Sequence, residues 1–308
     1  MTTLGNVETG LAAPAPAAPS TFGRVLRNRS VRMGGVLLLL MLAIALLAPW
    51  LGTIDPVRID PASRNQRPGA EVTQRTDSGA RVTRTAWMGT DSLGRDVYSR
   101  VLYGTRVSLA VGVSATLVGV AIGLSLGLVA GYVRWLDGVV MRLMDGMMAI
   151  PGTLLAIALV ALWGAGIATV VLAIAIPEIP RVVRLIRSLV LSIREEPYVE
   201  AAMALGTPLP LMLVRHVMPN TIAPLIVQAT FICANAILVE ALLSFLGIGI
   251  PPEIPTWGNV MAEGRALFRL FPHNILFPGI FLSLTVLAIN VIGDGLRDTL
   301  DPRMSKRI

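Results

Sequence analysis

Few side chains in this sequence can do chemistry, and their spacing limits what chemistry that would be. Two histidines, His216 and His273, and one cysteine, Cys233, are too few and too scattered for a tetrahedral zinc cage. A lone cysteine forms no intrachain disulfide. The sole lysine is Lys306, so no Gly-Lys-Ser/Thr phosphate loop exists and the chain cannot hydrolyse a nucleotide by that route. Asp145 and Asp294 could be the paired acids of an intramembrane protease. That chemistry wants Gly-x-Gly-Asp, and Val291 stands where the first glycine before Gly293-Asp294 should be. No catalytic residue, metal ligand or bound cofactor is therefore assigned. The tightest pattern is instead Glu200-Ala201-Ala202-Met203-Ala204-Leu205-Gly206, followed by Pro219-Asn220. It lies in a polar interval of roughly 30 residues between two apolar stretches, where a soluble partner could grip it.

The elements that must position this pattern follow from residue types. Pro197 suits the first turn of a helix, where its missing N–H is not needed. Glu200 lies in the same turn, where a carboxylate favours the positive end of the helix dipole. Ala201, Ala202, Ala204 and Leu205 are strong helix formers, and Gly206 tolerates the left-handed cap. Thr207-Pro208 reads as the start of a second helix, running to about Val217 and ended by Pro219. The expected product is two short helices joined by a tight turn, one face kept shallow by alanine.

This pattern resembles the EAA loop of importer permeases in the ATP-binding-cassette (ABC) class. The family form is Glu-Ala-Ala, three residues, Gly, nine residues, Ile, any residue, Leu-Pro. Glu200, Ala201, Ala202, Gly206 and Pro219 match it, while His216 and Met218 replace the Ile and Leu. The His216–Asn220 ending is similar to the dipeptide, oligopeptide and nickel branch. Gly89–Asp96, Tyr103–Leu109, Glu240–Gly247, Thr256–Asn259, Gly293–Asp298 and Asp301–Arg303 agree in the same order. The resemblance covers about residues 30–303 and is greatest to the second permease subunit of a peptide importer.

The resemblance implies an all-α fold of six transmembrane helices, the type I importer fold, with a cytoplasmic coupling loop at about 194–219. It implies a second homologous permease, two ATPase subunits that bind ATP and magnesium, and an extracytoplasmic binding protein. Coupling would fall to Glu200, Ala201, Ala202, Leu205, Gly206, His216 and Pro219. The cargo implied is a short peptide; nickel or another small solute is the alternative within the family.

Composition points to a membrane independently. The chain is 54% hydrophobic with 15% charged residues, against about 25% in soluble chains, and its mean hydropathy is +0.70. Apolar runs long enough to span hydrocarbon lie near 33–51, 107–133, 139–163, 167–190, 220–250 and 275–293. The fourth is interrupted by Pro177, Glu178, Pro180 and Arg181. The first is too long for a signal peptide core and is followed by Asp55-Pro56 rather than a cleavage site. Residues 1–32 divide into a disordered Ala/Pro/Thr-rich tail and a basic flank. Residues 52–106 form an external loop ending in an interfacial helix at 95–106. A core of five spans fills 107–295, and 296–308 is a cytoplasmic tail.

Arg24, Arg27, Arg29 and Arg32, with Arg297, Arg303, Lys306 and Arg307, place both termini inside. The arginine-rich loop after the first span goes against this bias, as long loops can. The net charge of +7 is spread over these flanks and suits anionic lipid rather than nucleic acid.

Ala115, Gly119, Gly123, Gly127 and Gly131 recur every four residues as a smooth stripe. It could pack within the subunit or against the partner permease. Glu178, Glu240 and Trp257 are possible pathway residues. The structural alternatives are a Glu178–Arg181 pair, a hydrogen-bonded Glu240 and an interfacial Trp257. Asp145 can pair locally with Arg142. Pro151-Gly152 and Pro278-Gly279 mark expected kinks. A secondary transporter would show inverted repeats with broken helices, and none is evident.

Overall fold

The computed structural model describes residues 21–75 and 81–300. Helices α1 (Thr21–Arg27) and α2 (Arg29–Leu47) come first, then a hairpin of β1 (Ala70–Arg75) and β2 (Arg81–Ala86). The remainder is helical: α3 (Val97–Tyr132), α4 (Arg134–Met148), α5 (Gly152–Trp163), α6 (Ile167–Ile193), α7 (Pro197–Ala204), α8 (Leu209–Met212), α9 (Met218–Phe245), α10 (Trp257–Gly264) and α11 (His273–Leu300). The all-α expectation is corrected by the antiparallel hairpin, which pairs Ala70 with Ala86 through Arg75 with Arg81.

α3 organises the bundle. Its 36 residues span about 54 Å, well beyond the roughly 30 Å of hydrocarbon. The expected interfacial helix at 95–106 is therefore not a separate element; it is the outer end of α3. Asp96 caps that end by accepting from Ser99 N at 2.8 Å. The glycine stripe faces α6 of the same chain. A Cβ built on Gly123 would lie 2.5 Å from Val182 Cβ, on Gly127 2.7 Å from Ile186 Cβ, and on Gly131 2.7 Å from Val190 Cβ. β-branched side chains thus seat in notches that only glycine leaves, and both helices run in the same direction.

Four helices among the described residues are long and apolar enough to cross a membrane: Arg29–Trp50, Val97–Tyr132, Leu209–Phe245 and His273–Leu300. α4 and α5 make a fifth candidate, bent by 88° at Ala149–Pro151. By length and composition alone, four or five of the six expected spans qualify. α6 has the length, at 27 residues, but carries Glu178, Arg181, Arg184 and Arg187. Two of these arginines fasten α6 to α4. Arg184 Nη2 donates to Asp145 Oδ1 at 2.7 Å, and Arg187 Nη2 to Asp137 Oδ2 at 2.7 Å. The expected Arg142–Asp145 pair is replaced by the first of these. Pro278, unlike Pro151, lies within one helical assignment, α11.

The N-terminal flank is ordered by the far end of the chain. Asn28 caps α2, accepting from Ser30 N at 2.8 Å, and its Nδ2 donates to Gly295 O at 3.3 Å. Residues 21–32, the expected basic flank, are helical save Asn28; residues 1–20, the expected tail, and 301–308, including Asp301–Arg303, lie outside the described residues.

Gly127→Val should force Ile186 and its neighbours apart, costing about 1–3 kcal/mol. Gly138→Ala, with nothing within 4 Å of its Cβ position, should cost almost nothing. Thermal melts of the detergent-solubilised protein should separate the two; equal melting temperatures would refute the notch packing.

Candidate coupling turn and buried polar clusters

The Glu200 segment folds as a helix–turn–helix with a built inner face. Pro197 opens α7 at its first position, and Glu200 sits exposed in the first turn. Val199 and Ala202 are buried against Ile186 and Val190 of α6 and Met212, Val217 and Leu225 beyond the turn. Gly206 adopts φ +78°, the left-handed region. Gly206 N donates to Met203 O at 2.9 Å and Thr207 N to Ala202 O at 3.2 Å, the paired bonds of a Schellman cap.

The second half differs from expectation. Pro208, not Thr207, occupies the N-cap of α8, and no side chain caps it. Leu213–Val217 forms a π turn, and Pro219 falls in the first turn of α9 rather than ending a helix. The reason is positional: a proline's missing donor is harmless in a first turn, and the π turn absorbs the break in the ladder. His216 is half-buried; its carbonyl accepts from Asn220 Nδ2 at 2.9 Å.

The outer face of this unit is apolar. Leu205 is 87% exposed, and Tyr198, Met203, Leu209, Leu211 and Val214 are also exposed. Ala201 joins them, while Ala202 belongs to the inner face. Together these residues form a surface patch at a rigid turn, the usual mark of a protein contact.

The expected pathway residues fall in different places. Glu240 is sealed in the interior, where its carboxylate accepts from Ser108 Oγ at 3.0 Å and Ser244 Oγ at 2.9 Å. Trp257 is wholly buried, and its indole N–H donates to Val101 O at 3.3 Å. Trp257 is thus a core residue of this structure rather than a surface anchor, and Glu240 is the hydrogen-bonded group of the structural alternative. Together they lock α10 and α9 onto the outer end of α3. Gly258 allows this closeness, since a Cβ there would lie 2.6 Å from Ala241 O. Glu178 borders a cavity.

One cluster escaped sequence reasoning. Asp91, Arg95, Arg100 and Glu263 meet at the N-terminal end of α3, with Arg95 Nε donating to Asp91 Oδ2 at 2.7 Å and Arg100 Nη2 to Glu263 Oε1 at 3.2 Å. Arg95 Nη2 also donates to Glu263, and Arg84 pairs with Asp96 at 3.0 Å. The arginine excess of this loop is thus partly neutralised by buried carboxylates. Gly89–Asp96 signalled half of the cluster; nothing local marked Glu263, 163 residues from Arg100.

Burial pushes the Glu263 carboxyl up to about 7 against the downward pull of Arg100 and Arg95. The folded state therefore keeps a proton that the unfolded chain releases between about pH 4.5 and 7, so stability falls as pH rises through that window.

A multi-span helical membrane subunit with a built, outward-facing turn is the class these features define. Residues 119–306 match the family described as binding-protein-dependent transport system inner membrane component, and residues 20–68 match the N-terminal membrane domain of oligopeptide transport permease C. The chain belongs to this family of inner-membrane permease components of ABC importers. It is 49% identical to a probable peptide ABC transporter permease protein of Sinorhizobium fredii over 91% of each chain. It is 40% identical to a dipeptide transport system permease protein of Alkalihalophilus pseudofirmus, covering 92% of this chain and 89% of the other. A glutathione transport system permease protein of Pectobacterium atrosepticum is 41% identical over 91% of this chain and 89% of its own. Among solved structures, the MetNI methionine ABC transporter in inward-facing form is similar with a TM-score of 0.52 at 16% identity, covering 65% of this chain and 95% of that one. That likeness concerns the fold alone.

Protection factors in residues 83–100, with each exchange rate divided by the intrinsic rate at that pH, should be higher near pH 5 than near pH 8, and Glu263→Gln should flatten the dependence. A pH-independent parent would refute the raised carboxyl.

Proposed function

We propose that this chain is a transmembrane permease subunit of an ATP-driven importer of short peptides. The observation that carries the reading is the turn at Gly206, whose inner face is welded to α6 and α9 while its outer face presents Leu205 and its apolar neighbours. A rigid turn with a bare apolar outer surface suits insertion into a groove of another protein. In this reading the groove belongs to an ATPase subunit, which supplies the ATP and magnesium that the chain itself does not bind.

The complete importer contains this permease, a second homologous permease, two ATPase subunits and an extracytoplasmic binding protein. α6 and the bent α4–α5 pair join the four apolar helices as six crossings, with both termini cytoplasmic. ATP-driven closure of the ATPases moves Glu200–Pro219, and rigid-body motion of the attached helices exposes the path to each side in turn. Gly206 sets the angle of the turn, and Glu200 steadies α7. The relatives named for peptide, dipeptide and glutathione transport support a peptide cargo over nickel or another small solute. An ATP-independent secondary transporter is the rival of another class, and ATP dependence separates the two.

Gly206→Pro removes the Gly206 N–H and forbids its positive φ, imposing about 1–3 kcal/mol of backbone strain. Leu205→Asp places a charge on the docking tip. In proteoliposomes holding the full complex, both variants should insert normally yet lose most ATP-driven peptide uptake. Normal uptake and ATP hydrolysis in both would remove the coupling assignment.

A further inference from the structure

A second polar site lies deep in the bundle, apart from the coupling turn. Glu178 of α6 is only 5% exposed and borders a cavity of about 150 Å3, lined also by Gly152, Thr153, Pro177, Arg181 and Asn235. Its carboxylate accepts from Asn235 Nδ2 of α9 at 2.8 Å and from Arg181 Nη1 at 3.2 Å. Three helices thus converge: α6 and α9 supply the charged and amide groups, and the start of α5, just past the 88° bend, supplies Gly152 and Thr153.

Its depth follows from the glycine stripe. A Cβ built on Gly119 would lie 3.8 Å from Glu178 Cβ, and Gly119 falls at the middle of the apolar run 107–133. Glu178 therefore sits near mid-membrane. Charged groups at that depth face a partner or a water-filled cavity, because hydrocarbon does not solvate them. Arg181, one turn along α6, has a side chain 56% exposed, left open by every element of this chain. Such a guanidinium belongs on a polar path rather than against lipid. At roughly 30 Å3 per water the cavity has room for about five waters, and the amino end of a peptide fits the same space.

We propose that Glu178, Asn235 and Arg181 form a mid-membrane subsite for the charged ends of a zwitterionic short peptide. This rests on the importer reading above and adds to it the residues that meet the cargo. The ammonium end enters the cavity, donating to the Glu178 carboxylate and the Asn235 side-chain oxygen. The carboxylate end remains at the mouth on Arg181. The resident ion pair opens and each partner takes the opposite charge of the cargo, so no charge at mid-depth is left uncompensated before, during or after passage. A pair that exchanges partners in this way lets a doubly charged solute cross without shedding its charges.

The test uses the full complex in proteoliposomes with its binding protein and alanyl-alanine as cargo. Glu178→Gln, Arg181→Gln and the double variant should assemble and keep binding-protein-stimulated ATP hydrolysis. All three should import at a rate lower by about tenfold or more, since each loses a charge partner for one end of the cargo. A purely structural ion pair predicts otherwise: the double variant, which leaves a neutral amide pair and no unpaired charge, would import at the parental rate, and that result overturns the subsite. If the variants do not assemble, Thr153→Cys in a Cys233→Ala background decides. Alanyl-alanine with binding protein should slow thiol labelling there, and unchanged labelling overturns the proposal. Absence of ATP-dependent uptake by the parental complex would instead refute the importer reading itself.

Discussion

Close backbone approach between α3 and α6 is the constraint on which the rest of the structure depends. Lipid tails are as apolar as leucine, so helices in a bilayer gain little by burying leucine against each other. They gain by fitting tightly. Gly123, Gly127 and Gly131 let Val182, Ile186 and Val190 seat almost on the α3 backbone. That fixes α6, which is too charged to be held by hydrophobicity, along the length of α3. With α6 placed, its arginines reach Asp137 and Asp145 of α4, and its C-terminal end supplies Ile186 and Val190 as the floor of the turn at Gly206.

The polar groups obey the complementary constraint. Glu240, buried in α9, is satisfied by two serine hydroxyls from different helices and so acts as a clamp. The external cluster around Arg100 is satisfied less completely, since its Nε and Nη1 have no hydrogen-bond partner, and burial there competes with charge closely enough to raise Glu263. Glu178 differs from both. It is paired, yet one partner stands open on an uncovered face and a cavity adjoins it. A structural clamp has no reason to leave that opening.

The residues that organise short-range geometry were legible in the sequence. Pro197, Glu200 and Gly206 dictate the helix, its start and its cap through local rules, and the turn forms as those rules require. The four-residue glycine period announced a packing seam, though not which helix would fill it. What was illegible depends on contacts across the chain. Trp257 looks like an interfacial residue beside Pro255 and Gly258, yet it is core because α3 extends outward to meet it. The first turn of α9 looked like a helix end, because Pro219 reads as a breaker until a π turn carries the chain through it. Asp145 had a sequence neighbour in Arg142, but α6 brought Arg184 closer to hand. The charged fourth span was marked from the start by Glu178 and Arg181, and the same residues keep it from counting as an apolar crossing.

These pieces join into one mechanical line. The inner face of the coupling turn packs on the last turns of α6 and the first turns of α9. The same two helices carry Glu178 and Asn235 some 18 Å away, at 1.5 Å per residue between Val190 and Glu178. A force on Leu205 thus has a rigid route to the polar cavity: through Val199 and Ala202 into α6 and α9, and along each as a helix. α6 cannot slide on α3 without lifting Val182, Ile186 and Val190 from their notches together. The bend before α5 supplies the remaining freedom, because Gly152 and Thr153 line the cavity but belong to a segment joined to α4 at a sharp angle. The exposed apolar turn at Gly206 and the polar cavity beside Glu178 thereby lie at two points along the same pair of helices.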